Sequence, residues 1–167
     1  MNPNEESVQW RLELAVAAAR MIEAHPIGGI GLGQFKRECV RYNPQLPRHW
    51  IAHDSYLQIA AESGIPTCAV FLVIMAIAFA NCRVTQRLSL NTALGELGDA
   101  VGIALSGFAV GALFITAWFA IPYWILAFMS QNLREIAVQV AGTGSSGVGP
   151  QSVTGKPQRR ILPKAVA

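Results

Sequence analysis

Residues 65–82 read IPTCAVFLVIMAIAFANC, eighteen positions without a charged side chain. A helix rises about 1.5 Å per residue, so this stretch would cover about 27 Å, close to the hydrocarbon thickness of a bilayer. Arg83 and Arg87 follow it directly. A second charge-free run, 100–133, is thirty-four positions long. As one helix it would measure about 50 Å, well beyond a bilayer core of about 30 Å. Pro122 interrupts it, with Trp118, Phe119, Tyr123 and Trp124 around the break. Proline disfavours a continuous helix, and Trp and Tyr collect at membrane interfaces. The expected arrangement is a hairpin, with spans near 100–117 and 119–133; one overlong tilted helix is the alternative. The second arm is short unless it continues past Arg134 toward Val140. The fold class is therefore all-α, a helical integral membrane protein with two or three transmembrane helices.

Composition agrees. Of 167 residues, 52% are hydrophobic and 14% are charged. That is too apolar for a disordered chain and well below the roughly 25% charge of a soluble domain. The net charge of +3 excludes an electrostatic case for nucleic acid, because no basic run is interleaved with aromatics. Cys39, Cys68 and Cys82 have no zinc-ligand spacing and read as small core residues, so no metal is expected. The acidic N-terminus has no apolar run behind it, so no signal peptide is expected.

Residues 1–64 have a different character. Val8 to Ala24 has no Gly or Pro and reads as a helix, ended by Pro26 and the glycines after it. Pro26 to His53 reads as a loop. A short helix should start near Ser55, with Ser55 and Gln58 at capping-box spacing and Asp54 as the alternative cap. Gly64 and Pro66 mark its end. From Gly142 the chain is rich in Gly, Ser and Pro, carries Lys156, Arg159, Arg160 and Lys164, and is expected to be disordered. The positive-inside rule puts Arg83, Arg87 and this tail in the cytoplasm, and residues 1–64 outside.

Two residues in the polar segment are out of place. On a helical wheel Arg11 falls in line with Ala15, Ala18 and Ile22, opposite Gln9, Glu13 and Arg20. A guanidinium in an apolar arc must pair, snorkel or hold an anion such as a phosphate. His53 stands just before a helix start, where backbone N–H groups favour anions. A histidine there is either a satisfied loop residue or a general base. The run Gly28-Gly29-Ile30-Gly31-Leu32-Gly33 does not match a dinucleotide fingerprint, and a helix rather than a strand precedes it. It is expected to let backbone approach a neighbour or an anion closely. His25 should serve the helix end, and Glu62 should pair with a basic residue or be solvated.

The order of these pieces is RLELAVAAARMIEAHPIGGIGLGQF (11–35), then AHDSYLQIAAESGIP (52–66), then an apolar span. It resembles the O-antigen ligase family, the bacterial polytopic proteins that include O-antigen ligases, O-antigen polymerases and protein O-oligosaccharyltransferases. The shared pattern is a helical arginine, HP-x-x-G-x-G-x-G-x-F, and a histidine followed by Asn, Ser and Tyr/Phe-Leu. Asp54 stands here in place of the more frequent Asn, and Ile51 where some members have another histidine. The resemblance covers about residues 9–130. It implies glycan transfer outside the cytoplasmic membrane, without cofactor or metal. The donor would be a glycan on undecaprenyl pyrophosphate, and the acceptor a lipid A core, a growing polysaccharide or a protein. It implies His53 as catalytic residue and Arg11 as pyrophosphate ligand. Family members have many more spans, so the chain is expected to be the C-terminal part of a larger enzyme and inactive by itself. The alternative is a non-catalytic membrane subunit or remnant. It would bind a partner through its helices, with Gly102, Ser106, Gly107 and Gly111 as a close-packing face.

Overall fold

A computed structural model describes residues 3–47, 50–116 and 120–145. These form six helices: α1 (Pro3–Ala24), α2 (Phe35–Tyr42), α3 (Ser55–Ser63), α4 (Ile65–Leu88), α5 (Ala93–Gly111) and α6 (Ile121–Ser145). No strand occurs among the described residues. Helices α1 to α3 make a headpiece, and α4 to α6 pack together beside it. Helices α4 and α5 are the two long and apolar enough to cross a membrane, at about 36 Å and about 28 Å by helical rise.

The headpiece core is the face of α1 formed by Leu14, Ala17, Ala18 and Met21, packed on Phe35, Cys39, Leu46, Ala52 and Ala61. Alanines at 17, 18 and 61 let the backbones of α1 and α3 come close. The loop expected over 26–53 is not wholly a loop, because Phe35–Tyr42 forms a helix. Phe35 and Cys39 are four residues apart and face inward, while Lys36, Arg37 and Arg41 face outward. That pattern is amphipathic, but at eight residues it is too short to dominate a glycine-rich sequence. Tertiary contacts hold it: Arg20 Nη1 donates to Tyr42 O at 2.7 Å, and Asn43 Nδ2 donates to Glu13 Oε2 at 2.8 Å.

Asp54, not Ser55, caps α3, its carboxylate accepting from Leu57 N–H at 3.0 Å. The backbone of Ser55 is already helical, and its hydroxyl reaches the turn after α5. Gly64 ends α3 and starts α4 with φ 87°, and Pro66 occupies the first turn of α4, where no N–H is needed.

The hairpin after α4 forms as two helices rather than one overlong helix, with shifted bounds. α5 starts at Ala93, seven residues before the expected 100, because Thr92 caps it by accepting from Gly95 N–H at 3.3 Å. Its end at Gly111 is held by the start of α3, which bonds one carbonyl of its last turn and two just beyond it. Tyr56 Oη donates to Ala109 O at 2.9 Å, Ser55 N–H to Ala112 O at 2.8 Å, and Ser55 Oγ to Ile115 O at 2.6 Å. The return helix starts at Ile121 with Pro122 in its first turn and runs past Arg134 to Ser145. Gly142 to Ser145, expected as the start of a disordered tail, are therefore helical. The basic residues beyond, and Trp118 and Phe119, lie outside the described residues. Phe71, Phe108, Tyr123 and Trp124 pack where the three long helices meet, with the Phe108 and Tyr123 rings stacked at 4.5 Å.

Candidate functional site

His53 lies between two fixed residues. Ala52 is buried in the headpiece core, and Asp54 is committed to capping α3. The chain must reverse between them, and His53 does so at φ 55°, a left-handed conformation uncommon for a side-chain-bearing residue. Trp50 meets the imidazole edge-on, with ring centroids 5.9 Å apart.

Arg11 reaches the same place from α1. It continues the stripe of Leu14 and Ala18, but one turn earlier, where the core has ended and the side chain is exposed. Among the described residues it makes no ion pair. Packing of α1 on α3 brings its charge to bear on His53. Partial burial, first, and the Arg11 charge, second, hold the imidazole below its usual 6.5. Both causes favour the neutral form of the ring.

The start of α3 was expected to supply free N–H groups for an anion. Two are already used: Ser55 N–H by Ala112 O and Leu57 N–H by Asp54.

Glu62 is neither solvated nor ion-paired among the described residues; it is 2% exposed. Its Oε2 accepts from Gly33 N–H and its Oε1 from Phe35 N–H, each at 3.0 Å. Gln58 Nε2 donates to Oε1 at 3.1 Å, and Gln58 Oε1 accepts from Thr116 Oγ1 at 2.8 Å. A continuous hydrogen-bonded chain thus links the turn after α5, through α3, to the glycine loop. The loop does approach an anion closely, but the anion is the protein's own carboxylate. It approaches a backbone as well: Ile30 N–H donates to Ala61 O, Gly31 N–H to Glu62 O, and Ile65 N–H to Pro26 O. A Cβ on Gly29 would collide with the backbone of Glu62 and Ser63, and one on Gly64 with Ile27 O.

Sequence reasoning missed Glu62, Gln58 and Thr116. A weak signal was present, because Gln58 and Glu62 are four apart on a helix whose intervening residues are Ile59, Ala60 and Ala61. A polar pair on an apolar helix needs a partner. His25 lies on a separate polar cleft of about 320 Å³, with Gln34, Glu38, Arg41 and Tyr42. Its backbone serves the end of α1, His25 N–H donating to Met21 O at 2.9 Å.

The headpiece, which carries Arg11, His53 and Glu62, stands beside two helices long and apolar enough to cross a membrane, the layout of a helical membrane protein. Residues 2–72 match the model of the O-antigen ligase family, and over that stretch the chain carries this family's domain. The family is membrane-bound and is one of lipid-linked glycan transfer. No curated protein and no solved structure matches the chain.

Proposed function

We propose that this chain is part of a membrane glycosyltransferase that moves a glycan from undecaprenyl pyrophosphate to an acceptor hydroxyl. The acceptor is a lipid A core, a growing polysaccharide or a protein. The protein sits in the bacterial inner membrane as a multi-pass protein, with residues 1–64 on the extracytoplasmic side. The observation that carries the reading is the pairing of Arg11 with a depressed His53 in the matched segment.

The neutral imidazole of His53 accepts the proton of the acceptor hydroxyl. The freed oxygen attacks the anomeric carbon, and the bond from that carbon to the pyrophosphate oxygen breaks. The carrier pyrophosphate leaves with one more negative charge, which Arg11 balances. Each donor that stabilises such a charge is worth about 10²–10³-fold. A positioned base adds about 10²–10⁴-fold.

The test is glycan transfer in membranes holding the full-length protein, with lipid-linked glycan as donor. His53→Ala should lose about 10²–10⁴-fold in rate. Arg11→Ala should lose about 10²–10³-fold. If both variants keep near wild-type rates, the site is wrong.

A second reading is supported by α5. Gly102 packs on Cys82 of α4, but a Cβ on Gly107 or Gly111 would meet nothing within 4 Å. Those two positions leave room for a partner helix, as a non-catalytic subunit would need. Specific capture of undecaprenyl pyrophosphate by the chain counts against that reading.

A further inference from the structure

The glycine loop exposes two large apolar side chains, Ile27 at 79% and Leu32 at 66%. Apolar residues at a loop tip often reflect a loose chain, but this loop is held along its length. Pro26 O accepts from Ile65 N–H at 2.8 Å, and Ile30 and Gly31 donate to Ala61 O and Glu62 O at 2.9 Å. Gly33 and Phe35 N–H are bound by the Glu62 carboxylate. Ile65 is the first residue of α4 and is itself 51% exposed. The loop is therefore pinned at the level where the first membrane-crossing helix begins.

We propose that Ile27, Leu32 and Ile65 form one apolar rim that sinks into the bilayer interface around the head of α4. The headpiece would then rest on lipid through its glycine loop. Lipid is the occupant because the surface is continuous with the span. From Ile65, the exposed side chains of Val70, Leu72 and Val73 carry the apolar surface onward along α4. The one exposed polar side chain on the way, Thr67, donates its hydroxyl to Ser63 O at 2.9 Å. Part of the loop's backbone is already satisfied. Backbone polar groups entering an apolar medium need partners, and its Gly29, Ile30, Gly31 and Gly33 N–H groups all have them. The consequence is a fixed height of Arg11 and His53 above the membrane, set by backbone bonds rather than by α4 alone. This proposal does not depend on the glycan-transfer reading.

Depth labelling tests it. The full-length protein, with Cys39, Cys68 and Cys82 replaced by Ala, would carry a polarity-sensitive fluorophore at Ile27→Cys or Leu32→Cys. Pro44→Cys serves as a water-exposed comparison and Ile103→Cys as a lipid-exposed one. In phosphatidylcholine vesicles, labels at 27 and 32 should be blue-shifted, quenched by nitroxide lipids and protected from aqueous iodide. Iodide quenching equal to that at Pro44 would overturn the proposal. So would protection from both quenchers, which would mean that protein covers the rim. If the cysteine-free protein does not fold, Ile27→Trp and Leu32→Trp in the native background give the same reading. Each should add fluorescence that brominated lipids quench, and no added quenching would overturn the proposal.

Discussion

Gln58 and Glu62 stand one helical turn apart in α3, joined by a hydrogen bond of 3.1 Å from the Gln58 side-chain amide to the Glu62 carboxylate. Each also reaches out of the helix in a different direction, Gln58 to Thr116 and Glu62 to the backbone of the glycine loop. The pair thus ties the turn after α5 to the headpiece through buried polar groups. Buried bonds of this kind matter most when one partner is removed.

Glu62→Ala should therefore destabilise the headpiece by about 2–4 kcal/mol, since two backbone N–H groups and one amide lose their acceptor. Glu62→Gln keeps an acceptor oxygen and should cost roughly half as much. Thermal unfolding in detergent measures the difference. Hydrogen exchange at Gly33 and Phe35 should accelerate in Glu62→Ala; unchanged exchange there would show that the carboxylate does not hold the loop.

The glycines of the loop are not equivalent. Gly29 and Gly64 have φ 64° and 87° and no space for a Cβ, whereas Gly28 is open. Gly29→Ala and Gly64→Ala should each cost more than about 1 kcal/mol, because both the backbone conformation and the close approach are lost. Gly28→Ala should stay within about 0.5 kcal/mol of the parent. Protease resistance of the three variants, compared side by side, checks the ranking.

His53 should titrate below the ordinary histidine value of 6.5, and Arg11→Gln should move it back up, because one of the two causes is removed. Burial is the larger cause, so the return should be incomplete. The sign for stability follows from the direction. The folded state favours the neutral ring, so this contribution is fully present above the unfolded pKa and is lost as pH falls through the folded one. An NMR titration of the imidazole measures both shifts. In an activity profile, the acidic limb should move to higher pH in Arg11→Gln.

Asp54 occupies the position where the family pattern more often has Asn. Its structural task is to accept from Leu57 N–H at 3.0 Å, and Asn caps about as well as Asp. Asp54→Asn should change stability by only a few tenths of a kcal/mol, and Asp54→Ala should cost about 1 kcal/mol. Denaturation of the two variants decides it. A large loss with Asn would mean that the negative charge, rather than the cap, is what this position supplies.

The amino-acid sequence by itself determined the class and the coarse layout. Long charge-free runs have few fates other than a bilayer, so the helical spans and the break at Pro122 were legible. The ends of α1 and α3 were legible too, because Pro26 and Gly64 act on their immediate neighbours. The bounds of α5 and the existence of α2 were not. Both depend on groups far along the chain: Ser55 and Tyr56 ending α5, and Glu62 holding the start of α2. Arg11 and His53 were each visible as anomalies, but only the packing of α1 on α3 brought the charge of one to the ring of the other. Glu62 shows the limit most clearly. A carboxylate near a glycine turn reads as solvated when only neighbours in sequence are considered. Gln58 is a neighbour on the same helix, but the Gly33 and Phe35 N–H groups that make burial tolerable come from a segment that meets Glu62 only in the folded chain.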